Sequence, residues 1–236
     1  KYFEINSGTD WWRLKNLADI QTAQFFIPKT EENESKVVTD ARYFELLSKK
    51  QIIGDFLYKA EEMQREKRFF HWFLEFPEVF EGGGFDCLLG NPPYLGGQKL
   101  SGTFGDNYLE FIKYEYAPIG AVDLVTYFFR RIFTLINKEG FLSLISTNTI
   151  SQGRAREDGL DVIVNQGGTI NHAVTSSLWP GQAAVSVALV TITKRQWNSK
   201  FVLDNKEVKI IPIGLFLARS VTAMAVNPKL FENPYS

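Results

Sequence analysis

The sequence predicts an α/β fold built around a parallel sheet, and three observations carry that expectation. Residues 85–90, Phe-Asp-Cys-Leu-Leu-Gly, form a short apolar run that ends at Gly90 before two prolines, the pattern of a buried strand with a sharp exit. Leu124, Val125, Phe128, Phe129, Ile132, Phe133, Leu135 and Ile136 recur at helical spacing and make one apolar stripe within residues 121–138. Phe141-Leu-Ser-Leu-Ile-Ser then reads as the next strand, so strand, loop, helix and strand follow in the order of a βαβ unit. Lys138 and Gly140 are expected to close the helix, one with a cation and the other by tolerating left-handed geometry.

The remaining elements follow from the same reasoning. Trp11, Trp12, Leu14, Leu17, Ala18 and Ile20 make a helical pattern that stops near Pro28. Residues 29–36, Lys-Thr-Glu-Glu-Asn-Glu-Ser-Lys, read as an exposed loop. From Ala41 to Arg68 a second helical region is expected, broken at Gly54, with a charged tail suited to a solvated face. The β-branched run from Val185 reads as a central strand. After Arg195 come short strand-like pieces, Phe201-Val-Leu and residues 208–213, and a final segment from Asn233.

Composition bounds the possibilities. A chain of 236 residues has room for one or two domains. It carries one cysteine, Cys87, which excludes an internal disulfide framework and, lying in the apolar strand, is expected in the core. Two histidines and one cysteine make no zinc site, and no other metal site is expected. Neither a signal peptide nor a membrane-spanning run is visible, so a cytoplasmic location is expected. The net charge of −1 argues against strong autonomous binding to nucleic acid, which relies on Lys and Arg neutralising phosphates.

The chemistry concentrates at Asn91-Pro92-Pro93-Tyr94. Both prolines fix φ near −65° and force the residue before each toward extended backbone. Neither offers a backbone N–H. The result is a stiff platform at the carboxyl end of a strand, where open α/β sheets bind ligands. It presents an amide side chain, a bare carbonyl and a flat ring, the parts needed to grip a planar base by its amino group.

This tetrapeptide resembles the catalytic motif of amino-group DNA methyltransferases that use S-adenosylmethionine. In that family the first residue varies among Asp, Asn and Ser, and Asn points to adenine N6 more than to cytosine N4. The resemblance implies that Asn91 and the Pro92 carbonyl accept the two amino hydrogens, that Pro93 stiffens the turn, and that Tyr94 stacks on a base flipped from the duplex. It further implies that Phe128 packs on the adenine of S-adenosylmethionine, with Asn91 beside the cofactor, and that Trp179 in Trp-Pro-Gly packs on the other side of the extruded base. A stripe phenylalanine and a turn tryptophan are equally ordinary core residues. Arg154 and Arg156 are expected in a polar loop at the same sheet end as Asn91, where phosphate contact and plain surface charge are both open.

The likeness reaches further. His71-Trp-Phe-Leu-Glu-Phe-Pro-Glu-Val-Phe, Gly83-Gly-Phe-Asp, the string from Ser146 to Leu160 and Asn227-Pro-Lys-Leu-Phe-Glu-Asn resemble the large single-chain type II restriction–modification methyltransferases. A partial Rossmann-like methyltransferase core is therefore expected over 71–194, after a helical insertion over 1–70 and before a β-rich segment over 195–236 that leads toward target recognition. No glycine-rich cofactor loop and no acidic ribose partner precede residue 85. The chain is thus expected to be a fragment of its parent, inactive alone, with double-stranded DNA and the missing parent segments as partners. Two other readings stay open: an amino-methyltransferase acting on RNA or protein, and a non-catalytic DNA-binding or assembly module of a phage-defence complex.

Overall fold

The computed structural model describes residues 9–117, 119–179 and 186–211. Two compact units divide the chain, Lys1–Phe80 with Ser101–Phe111, and Glu81–Leu100 with Ile112–Ser236.

The first unit is helical. Its helices are α1 (Thr9–Ala23), α2 (Asp40–Ser48), α3 (Asp55–Lys67), α4 (Trp72–Glu75) and α5 (Pro77–Glu81), with α6 (Leu100–Phe104) and α7 (Asp106–Glu115) later in the chain. Leu17, Ile20 and Ala23 of α1 share a face and pack with Leu46, Phe56, Ala60 and Met63. Trp12 and Leu14, expected on that face, are exposed, because the buried stripe begins one turn later. The break at Gly54 has a steric cause: its φ is +154°, and a Cβ there would lie 2.3 Å from the Phe56 ring. Glu31–Lys36 winds into a 3-10 helix where a loop was expected. Buried Asp19 is tied to Lys15 and, at 2.7 Å, to His71 Nε2, which gives its carboxylate partners away from water.

The second unit is a six-stranded sheet. Its strands are β1 (Phe85–Gly90), β2 (Ile136–Thr147), β3 (Thr169–Leu178), β4 (Ser186–Thr193), β5 (Phe201–Leu203) and β6 (Lys206–Val208), in the order β1-β2-β4-β3-β5-β6. β1 and β2 pair in parallel, connected through α8 (Leu124–Leu135), as the βαβ pattern predicts. β4 is central as expected but runs antiparallel to both β2 and β3, so the sheet is mixed. Its residue 185 and residues 212–236, with their predicted strand-like and closing stretches, lie outside the described residues.

α8 supplies the core. Asp123 accepts from Val125 N at 3.0 Å and starts the helix, and Val125, Phe129 and Phe133 then bury against Leu142 and Leu144 of β2. Complete burial of a ring such as Phe129 contributes about 1.5–3 kcal/mol. The helix ends earlier than its apolar stripe. Ile136, predicted to be its last stripe residue, already pairs with Phe85 of β1. Gly140 does not adopt the left-handed cap geometry. Its small size is needed instead because a Cβ there would meet Phe85 O at 2.7 Å.

β1 departs from the buried strand that its composition suggests. It lies at the sheet's edge, with Cys87 exposed and Leu89 75% exposed. The expectation of a core cysteine is therefore corrected: only one side of this strand is covered. Among the described residues no helix is long and apolar enough to cross a membrane.

Candidate active site

The parallel pairing of β1 with β2 brings the ends of both strands to one edge of the sheet. Gly90, the last residue of β1, stands opposite Leu144, three residues before the end of β2. β3 runs in the same direction, since it is antiparallel to β4 as β2 is. Asn91, the segment after Thr147, and Trp179 after Leu178 therefore emerge on the same side. β1 and β3 are three strand spacings apart, roughly 14 Å in the hydrogen-bonding direction.

The predicted motif leaves β1, the outermost strand at this end of the sheet. Asn91 and Pro93 are exposed, Pro92 is buried, and Tyr94 is half-buried with its ring packed against the sheet core. The Tyr94 hydroxyl donates to Asn91 Oδ1. Burial first, and the Asp123 carboxylate second, hold the Tyr94 phenol above its ordinary pKa, so it stays a donor well into the alkaline range.

The loop is pinned from behind. Leu124 N donates to Leu95 O at 2.9 Å, joining the motif loop to the first turn of α8. Gly97 packs so closely on the next segment that a Cβ would sit 2.4 Å from Ala121 C. That segment is braced in turn. Gly120 N donates to Asp158 Oδ2 at 2.7 Å, the Tyr127 hydroxyl donates to Gly120 O at 3.3 Å, and Arg130 Nη1 donates to Tyr116 O at 2.5 Å. Burial lowers the pKa of Arg130, whose guanidinium also lies 5.2 Å from the Tyr116 ring centre.

The other predicted residues are placed unevenly. Phe128 is half-buried on a helix whose neighbouring positions are mostly buried, and it packs against the core of the sheet. Trp179 is half-buried directly after β3, and Pro180 and Gly181 of its turn lie outside the described residues. Arg154 is exposed and lies over Gly120, where a Cβ would meet Arg154 Nη1 at 2.6 Å. Arg156 points differently: it pairs with Glu157 and Asp161, each at 3.4 Å, within a π-helical turn spanning Arg156–Asp161.

Sequence reasoning missed several polar groups at this edge. Ser146 Oγ, Asn148 Oδ1 and Thr126 Oγ1 are buried and, among the described residues, have no hydrogen-bond partner. Buried polar atoms are normally satisfied, and Asn171 Oδ1, near the opposite end of β3, lacks a partner among the described residues as well. Asp123 was also missed as a neighbour of Tyr94, although an Asp just before an apolar helical stripe is a helix-start signal. By contrast, a cleft of about 820 Å³ opens at the opposite sheet end, lined by Gly168, Thr169, Lys194, Trp197, Phe201 and Ile211 among others, and none of the predicted site residues lines it.

Residues 14–167 match the Eco57I restriction-modification methylase family. The chain belongs to that family. Its fold is also that of a solved restriction–modification enzyme, the Type IIL enzyme MmeI determined in complex with DNA, with a TM-score of 0.50 and 21% sequence identity over 62% of this chain. The match spans 21% of the MmeI chain. No curated protein matches the chain. The matched residues include the Asn91–Tyr94 loop and the β1–α8–β2 unit that carries it.

Proposed function

We propose that the protein methylates adenine N6 in duplex DNA, using S-adenosylmethionine, as the modification activity of a restriction–modification enzyme. One observation carries this reading: the exposed Asn91 amide stands on a proline-stiffened, backbone-pinned loop beside a half-buried tyrosine ring, in a chain of the Eco57I methylase family.

An exocyclic adenine amine is a poor nucleophile because its lone pair is delocalised into the ring. Asn91 Oδ1 and the Pro92 carbonyl would accept its two hydrogens, drawing the nitrogen toward tetrahedral geometry and concentrating the lone pair. Acceptors held in place before reaction are worth more than mobile ones, and loss of one such group typically costs about 10²–10³ in rate. The Tyr94 ring would stack on the flipped base from one side and Trp179 from the other, each stack contributing about 1–3 kcal/mol. Phe128, with Asn91 alongside, would hold the adenine moiety of the cofactor. S-adenosylmethionine supplies the activated methyl group. Arg154, exposed at the same edge, would contact phosphate. In this reading residues 71–194 carry the motif-bearing part of the catalytic domain, 1–70 an inserted helical part, and 195–236 the approach to target recognition.

The test is nucleoside analysis of unmethylated phage DNA after incubation with the full-length protein and methyl-labelled S-adenosylmethionine. Label is expected in N6-methyldeoxyadenosine. Label in N4-methyldeoxycytidine would replace adenine by cytosine as the target, and the absence of any methylated nucleoside would overturn the reading.

A further inference from the structure

The hydroxyl of Tyr94 has no part in stacking, yet it is committed to Asn91 Oδ1. We propose that this hydroxyl is a positioning group, which fixes the Asn91 amide so that its oxygen, and not its NH₂, is presented to the target amine. The proposal rests on the adenine reading above and adds to it the question of which end of the amide faces the base.

The need for such a lock follows from the site. The terminal torsion of an asparagine has a broad, roughly two-fold profile, so rotation by half a turn exchanges oxygen and NH₂ at little intrinsic cost. Asn91 is exposed, and water solvates either orientation equally well. Neither Pro92 nor Pro93 has an N–H with which to choose between them. In the flipped orientation two N–H donors would face each other and the acceptor would be lost. The Tyr94 hydroxyl breaks this degeneracy, because a phenol is a stronger donor than acceptor and so favours the oxygen end over the NH₂ end. The tyrosine is itself held: its ring packs on the sheet core, and the chain directly after it is bonded through Leu95 O to Leu124 N. Its phenol keeps its proton because burial and the Asp123 carboxylate both oppose ionisation. A carbonyl oxygen has two lone pairs, so Oδ1 accepts from Tyr94 and from the amine together.

The experiment measures Tyr94→Phe in three backgrounds of the full-length protein: unsubstituted, Asn91→Asp and Asn91→Ser. Phenylalanine keeps the stacking ring and removes only the hydroxyl. Neither Asp nor Ser has an amide to flip, and both occur at this place in amino-group methyltransferases that the motif resembles. In the unsubstituted background kcat for methylation of phage DNA is expected to fall several-fold, up to about tenfold, the worth of one hydrogen bond, with KM for DNA within about twofold. In whichever of the Asp and Ser backgrounds is active, the same substitution should leave kcat within about twofold. An equal loss in all backgrounds would overturn the proposal by making the hydroxyl a contact to the base or to the fold. An unchanged or raised kcat in the unsubstituted protein would overturn it by making the hydroxyl idle or a mask over the acceptor. Failure of the underlying reading looks different: the unsubstituted protein would then form no N6-methyladenine at all.

Discussion

The two ends of the sheet carry their polar groups differently. At the end away from the motif, polar atoms meet one another: Lys194 Nζ donates to Ile136 O at 2.7 Å, Thr193 Oγ1 to Gly140 O at 2.9 Å, and Arg195 N to Thr193 Oγ1 at 3.0 Å. At the motif end Asn91 stands exposed, and Ser146, Asn148 and Thr126 each keep a buried oxygen without a partner among the described residues, as Asn171 does near the start of β3 at the other end. The first arrangement contributes stability; on the function proposed above, the second leaves polar groups free for a ligand. On the function proposed above, substitutions at one end of the sheet can be read with little interference from the other.

That contrast yields an ordered set of tests. The largest effect is expected for Asn91→Ala, which should lower methyl transfer by about 10²–10³ while DNA binding persists; equal loss of both would assign the motif end a structural task. Trp179→Ala should weaken productive DNA binding by roughly tenfold or more, the value of one aromatic–base stack, as measured by KM for phage DNA. Unchanged KM would leave Trp179 as a cover for the end of β3. Lys194→Met should act the other way, lowering unfolding free energy by about 1 kcal/mol through its lost bond to Ile136 O with kcat unaltered. Burial lowers the Lys194 pKa in the folded chain, so the unfolded chain binds that proton more tightly, and native stability from this group rises with pH through the window below 10.5. The stability gap between the unsubstituted protein and Lys194→Met should therefore widen as pH approaches that value in denaturant titrations. The smallest effect is expected for Arg154→Ala, which should reduce the slope of log affinity against log salt by about one. Arg156→Ala should leave the slope alone, because its guanidinium is already paired with Glu157 and Asp161.

Features set by local sequence were legible before the structure. The proline pair after an apolar run located the motif loop, and helical spacing from Leu124 located α8. What depended on tertiary partners was not. The apolar Ile136 continues the helical stripe in sequence, but its pairing with Phe85 makes it the start of β2. Gly140 looks like a helix cap and instead admits the Phe85 carbonyl. Strand direction is likewise set by connection rather than composition, so the β-branched run over 186–193 announced a central strand without announcing that it runs backwards. At the site, Asn91 and Tyr94 were readable as a motif, whereas the bond between them and the proximity of Asp123 to Tyr94 emerge only when the loop closes on α8.

The exposed thiol of Cys87 has a practical consequence. It is the sole cysteine of the chain, and it precedes Asn91 by four positions on the strand that carries the motif. A maleimide fluorophore or spin label would attach there without any engineered residue, giving a native reporter on the strand that leads into the Asn91–Tyr94 turn.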